Sequence, residues 1–166
     1  NNMKNVFKIA GIALVTLVIL SIYSFNSQPA ATKYKCMMQM VNYTGEGAYV
    51  VISLINPEGK YEKTLYMQGD DSEWYHDITA WWKFYGKKRS DLDAITGETI
   101  AGGERIISVI EIEDAKINSG YSIRFETAVE DQEYHIKDVQ FELTTASVKS
   151  KVEGTGFLRY VRLLPN

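Results

Sequence analysis

The sequence is poor in the residues that most metal and redox centres need. One cysteine among 166 residues excludes an intrachain disulfide framework. With only two histidines beside it, zinc-finger, ferredoxin-type and CxxCH haem sites are excluded as well. Charge of one sign is also scarce, since 18 basic and 21 acidic residues leave a net charge of −3. No basic stripe is available to follow a phosphate backbone, which argues against nucleic acid as a partner. The length fits one domain, or one domain with an appendage, but not two full-sized domains. Internal repeats and low-complexity tracts are absent too.

What is present is unevenly spread. Residues 9–25 carry no charge, 9–20 are almost wholly aliphatic, and Lys4 and Lys8 stand in front. Such a segment is either a cleaved signal peptide or a retained anchor, slightly short of the roughly 20 residues that span a bilayer. Gln28 and Pro29 occupy positions that a cleavage site would fill with small residues, which favours the anchor. The expected organisation is a short cytoplasmic N-terminus (1–8), a single transmembrane helix (9–27), a linker (28–33) and an exported domain (34–166). Lys33 and Lys35 nearly balance Lys4 and Lys8, so the orientation rests on the mixed-polarity chain that follows. Lys33-Tyr34-Lys35 is no lipobox for Cys36, which argues against a lipoprotein.

The exported part reads as mainly β. An apolar, β-branched run at 49–55 ends in Asn56-Pro57-Glu58-Gly59, which is strong turn chemistry, and 61–68 returns antiparallel to it. Further extended runs are expected at 34–43, 105–112, 121–129, 133–143 and 157–164. Short strands at this spacing predict an antiparallel β-sandwich rather than a parallel sheet. One helix interrupts them at 71–88. Asp70 with Glu73 has the form of a capping box, Trp74, Ile78, Trp81 or Trp82, and Tyr85 recur at helical spacing, and Lys87, Lys88 and Arg89 suit its C-terminus.

The loop after that helix, 90–103, carries Asp93-Ala94-Ile95-Thr96-Gly97-Glu98-Thr99. On spacing alone this is more readily an exposed turn. It also closely resembles the target of bacterial FAD-dependent flavin transferases, in which an Asp, two variable residues, Ser or Thr, Gly, usually Ala, and Thr lead to FMN on the last threonine. The resemblance makes Thr99 the acceptor of a phosphoester and Asp93, Thr96 and Gly97 the recognition residues. A threonine hydroxyl is a poor nucleophile until a base takes its proton, and glycine keeps such a loop thin and permits positive φ. Glu98 departs from the pattern by putting a charge where a methyl is usual.

Together with this motif, the strand–turn–strand at 49–68, the Ala80-Trp81-Trp82 helix and the strand start at Ser119-Gly120-Tyr121 resemble the predicted periplasmic domain-of-unknown-function family 2271. That resemblance implies an immunoglobulin-like module in the bacterial periplasm, and the segment 9–27 would hold it to the inner membrane. It also implies association with PepSY-type membrane proteins, flavin transferases and extracytosolic electron transfer, often linked to iron. Trp81, Trp82 and Tyr85 are then candidates to stack on the flavin ring, although core packing of the helix is the stronger reading for them, and Trp74 is expected in the core.

Other residues admit a site and a plainer reading. Cys36, Met37, Met38 and Met40 offer soft ligands for Cu(I), but alternation along a strand divides them between two faces. His76 and His135 would have to meet in space to bind a metal, and no metal site is expected. Glu111, Glu113 and Asp114 suit a solvated strand edge. Two functions of different class follow: an electron-transfer subunit with covalent FMN, or a non-flavinylated accessory module of a membrane complex.

Overall fold

The computed structural model describes residues 27–88 and 95–166, together with Met3. The chain divides into two compact units, Asn1–Ala30 and Ala31–Asn166. The expected transmembrane segment falls, up to residue 26, outside the described residues, as does Asp93. Among the described residues no helix is long and apolar enough to cross a membrane.

The second unit is mainly β. Its four-stranded sheet has the order β5 (Arg105–Glu113), β1 (Ala31–Met40), β9 (Leu158–Pro165), β8 (Lys151–Glu153). Its five-stranded sheet runs β4 (Ile95–Thr96), β3 (Tyr61–Gln68), β2 (Tyr49–Ile55), β6 (Ser122–Ala128), β7 (His135–Glu142). Pairing is antiparallel except between β3 and the short β4, which align parallel with Met67 opposite Ile95 and Gln68 opposite Thr96. The inner faces of both sheets share one core. Cys36, Met38 and Met40 enter it from β1, Ile110 and Ile112 from β5, Val161 and Leu163 from β9, and Val50, Ile52, Ile123 and Phe125 from the facing sheet.

Period-two alternation explains these contributions. On β1 the even-numbered residues from Tyr34 to Met40 point inward, so Cys36, Met38 and Met40 are core side chains and Met37 lies on the other face. Burial pushes the Cys36 thiol up to about 12. The turn after β2 forms as its residues dictate: Asn56 Oδ1 accepts from the Glu58 and Lys60 amides at 3.1 and 2.9 Å, and Gly59 takes φ +78°.

Strands β2 and β6 are buried on both faces because a second apolar layer covers the outside of the five-stranded sheet. The covering segment is not one continuous helix. A 3-10 turn at Ser72–Asp77 precedes α1 (Thr79–Lys88), with Ile78 between them. The cap is Asp71, not Asp70: its side chain accepts from the Glu73 amide at 3.0 Å. Three further differences concern extent. β1 starts at Ala31, inside the stretch expected as linker, and the short strands β4 and β8 carry too little pattern to predict.

Candidate functional site

Thr99 sits where the motif rejoins the sandwich. Upstream, the Asp70 amide donates to the Gly97 carbonyl at 2.9 Å and Gln68 Nε2 donates to the Glu98 carbonyl. Downstream, Ala48 and Ile100 exchange backbone hydrogen bonds of 2.7 and 3.0 Å, and the Tyr43 hydroxyl also donates to the Ile100 carbonyl. Glu104 Oε2 accepts from the Ala101 amide at 2.9 Å, closing the next turn. The threonine is therefore held by backbone contacts on both sides.

The Gly45-Glu46-Gly47 turn lies against it. A Cβ added to Gly47 would fall 2.1 Å from Thr99 Oγ1, so only glycine fits opposite that hydroxyl. Gly97 is under no such constraint here. Its backbone is outside the left-handed region, and an added Cβ would meet only Asp70 Oδ2, at 3.9 Å. The expectation that Gly97 supplies a positive φ is not what the folded loop uses.

Thr99 and Gly47 open onto a cavity of about 320 Å³. Its aromatic walls are Tyr49, Trp74 and Tyr134, and Glu46, Asp77, Glu130 and Asp131 give it an acidic rim. Two turns form its lips, and Gln132 ties them: its side-chain amide donates to the Thr44 carbonyl at 2.8 Å. Asp131, at φ +58°, bends the second lip. On the 3-10 turn, Tyr75 points inward with its hydroxyl on the Gly69 carbonyl at 2.8 Å, which turns the neighbouring Trp74 toward the cavity. Trp74 is 36% exposed, although its sequence position suggested the core.

The residues expected to stack on a flavin lie elsewhere. Trp81 is fully buried, its indole N–H donates to Thr64 Oγ1 at 2.9 Å, and Tyr85 stacks on it at 4.6 Å and 11°. Trp82 and Tyr85 pack half-buried against the same cluster, and none of the three lines the cavity. Both faces of the Trp81 indole are covered. Thr96 is on β4, and Asp93 falls outside the described residues.

Behind the aromatic wall lies a buried acid. Glu126 on β6 accepts from the Tyr61 hydroxyl at 2.8 Å and from the Tyr134 hydroxyl. Burial raises its carboxyl above the usual range, while the two tyrosine hydroxyls and nearby Arg124 oppose that rise. The same burial, reinforced by Glu126, holds Tyr61 and Tyr134 protonated well above their ordinary value. Desolvation, followed by Asp71, Asp70 and Glu130, also raises Tyr49. All three tyrosines thus present neutral rings at neutral pH.

His76 forms an exposed pair with Asp77 at 3.1 Å, whereas His135 packs edge-on against Phe157 at 5.0 Å. Among the described residues no group of three or more His, Cys, Asp or Glu side chains is placed to hold a metal ion. Glu111 is exposed on β5, an edge strand, and Asp114 accepts from Thr32 Oγ1 at 2.6 Å.

A family model for predicted periplasmic proteins, the domain of unknown function DUF2271, matches residues 31–160. The chain belongs to the DUF2271 family. The match takes in all the strands that build the sandwich up to the middle of β9, and with them Thr99 and the walls of its cavity. No curated protein and no solved structure matches the chain significantly. Gly47, Trp74 and the 129–132 lip of this DUF2271 domain were the part of the site that sequence reasoning missed. The only signal for Gly47 was its place in a glycine-rich turn.

Proposed function

We propose that this DUF2271 protein is an extracytosolic electron-transfer subunit carrying FMN through a phosphoester on Thr99. The observation that carries the reading is the position of Thr99: the last residue of a flavin-transferase-like motif opens onto a cavity with aromatic walls. The fit is favourable. A volume of about 320 Å³ falls at the lower end of the roughly 300–1,000 Å³ typical of small-molecule sites. Tyr49, Trp74 and Tyr134 offer planar surfaces in the cavity that Thr99 also lines.

In this reading Asp93, Thr96 and Gly97 are read by an FAD-dependent flavin transferase. Thr99 Oγ forms a bond to the FMN phosphorus of FAD, the pyrophosphate bond breaks, AMP leaves, and a base of the transferase takes the hydroxyl proton. FMN supplies one- or two-electron transfer, and the protein supplies its position and electrostatics. Outside the cytoplasm a covalent bond keeps a cofactor that could not be replaced from a free pool. Residues 9–27 anchor the immunoglobulin-like domain in a bacterial inner membrane, within reach of a PepSY-type membrane reductase, and iron reduction is the associated use.

A second reading, a non-flavinylated accessory subunit of the same kind of complex, is favoured by Glu98 and by the acidic rim. A carboxylate next to the acceptor repels an incoming phosphate. Two variants separate the readings. Thr99→Ala leaves the domain folded and abolishes flavin fluorescence of the denatured band, while Glu98→Ala raises the modified fraction. Flavin retained in Thr99→Ala would place the acceptor elsewhere, and no flavin in either the parent chain or Glu98→Ala would favour the accessory role.

A further inference from the structure

Resting on Thr99 as the attachment point, we infer that the cavity lined by Tyr49, Trp74 and Tyr134 is the seat of the isoalloxazine ring, with Trp74 as its stacking partner. The electrostatics set the direction of entry. Four carboxylates, on Glu46, Asp77, Glu130 and Asp131, rim the cavity. A phosphoester is repelled by them, whereas an oxidised flavin ring is neutral, so the phosphate stays at its attachment on Thr99 and the ring takes the space between the aromatic walls.

The walls match a flat apolar guest. The Tyr134 hydroxyl is held by Glu126 and accepts from the Ala80 amide at 3.3 Å, so its polar end is engaged away from the cavity. Tyr49 is backed by Gly69, where an added Cβ would fall 2.4 Å from the Tyr49 ring. Edge-on contact with Tyr75 at 6.4 Å fixes it further. Trp74 is the exposed large aromatic of the three, and its 3-10 turn is pinned by the Asp71 cap and the Tyr75 hydroxyl. A rigid indole at the mouth covers a stacked ring at little conformational cost.

The test uses the full chain in detergent, with FMN content fixed first by intact mass. Indole stacked on oxidised flavin quenches its fluorescence by electron transfer. Native Trp74→Leu should therefore lose visible circular dichroism and brighten in part, since Tyr49 and Tyr134 still quench, while Trp82→Leu and Tyr85→Leu keep the parent's dichroism and brightness. Trp74→Phe, which preserves a planar surface, should retain the dichroism while brightening. Unchanged visible circular dichroism in Trp74→Leu, or a gain in brightness confined to Trp82→Leu or Tyr85→Leu, would overturn the seat while leaving Thr99 flavinylation intact. A parent chain without FMN would overturn both.

Discussion

Asp138 shows how much one side chain can organise. It is buried on β7, and Oδ1 accepts from the Thr155 and Gly156 amides at 3.0 and 2.8 Å. Oδ2 accepts from Thr127 Oγ1 at 2.6 Å and the Leu158 amide at 2.9 Å. The carboxylate thus ties the β8–β9 connection of one sheet to the edge of the other. Asp138→Ala leaves these buried donors unpaired and should cost about 3 kcal/mol or more, read as a lower midpoint in urea unfolding. A loss below ~1 kcal/mol would show that the loop finds other acceptors. Glu126 acts in the opposite sense. Because its folded carboxyl titrates above the unfolded one, the contribution of Glu126 to stability is greatest at low pH and is lost as pH rises through that raised value. Glu126→Gln should remove this part of the decline, so its stability gains on the parent between acid and neutral pH. Parallel pH profiles would contradict it.

At the scale of elements, the layer over the five-stranded sheet is what the site depends on. The Trp81 indole fills the space above β2 and β3, with Tyr75 edge-on at 5.4 Å and Val51 and Met67 in the same cluster. Trp81→Ala should cost about 3–5 kcal/mol by emptying that space. The loosened covering layer should also raise amide exchange in the 3-10 turn that holds Trp74. Protection unchanged there would show that the turn is held independently of α1. Strands were the legible elements, since 49–55 and 61–68 have the expected bounds and most others differ only at their ends. Their alternation is local. The tryptophans were not legible in the same way: Trp74, Trp81 and Trp82 share helical spacing, and the break at Ile78 decides which faces the sheet. That break depends on tertiary contacts, including Tyr75 beneath it and the Tyr134 hydroxyl at the Ala80 amide.

Across the whole domain, the candidate site forms from segments distant in sequence. Thr99, the 45–47 turn, the 3-10 turn and the 129–132 lip converge only when the five-stranded sheet and its cover are complete. Thr99 was therefore readable as the end of a motif, while its surroundings were not, because no local pattern links Gly47 or Trp74 to residue 99. The acidic rim has a consequence at this scale as well. It makes the cavity hostile to anions, so the account requires the phosphate to remain at the mouth and the ring to carry the contact. Glu98 adds to that field and is the residue most opposed to modification.

The most direct test is the intact mass of the chain purified from its own membranes, with the modified peptide mapped. The account predicts the added mass of an FMN phosphoester on the peptide containing Thr99. An unmodified mass, in cells with an active flavin transferase, would contradict it and leave a DUF2271 domain that works through its contacts alone.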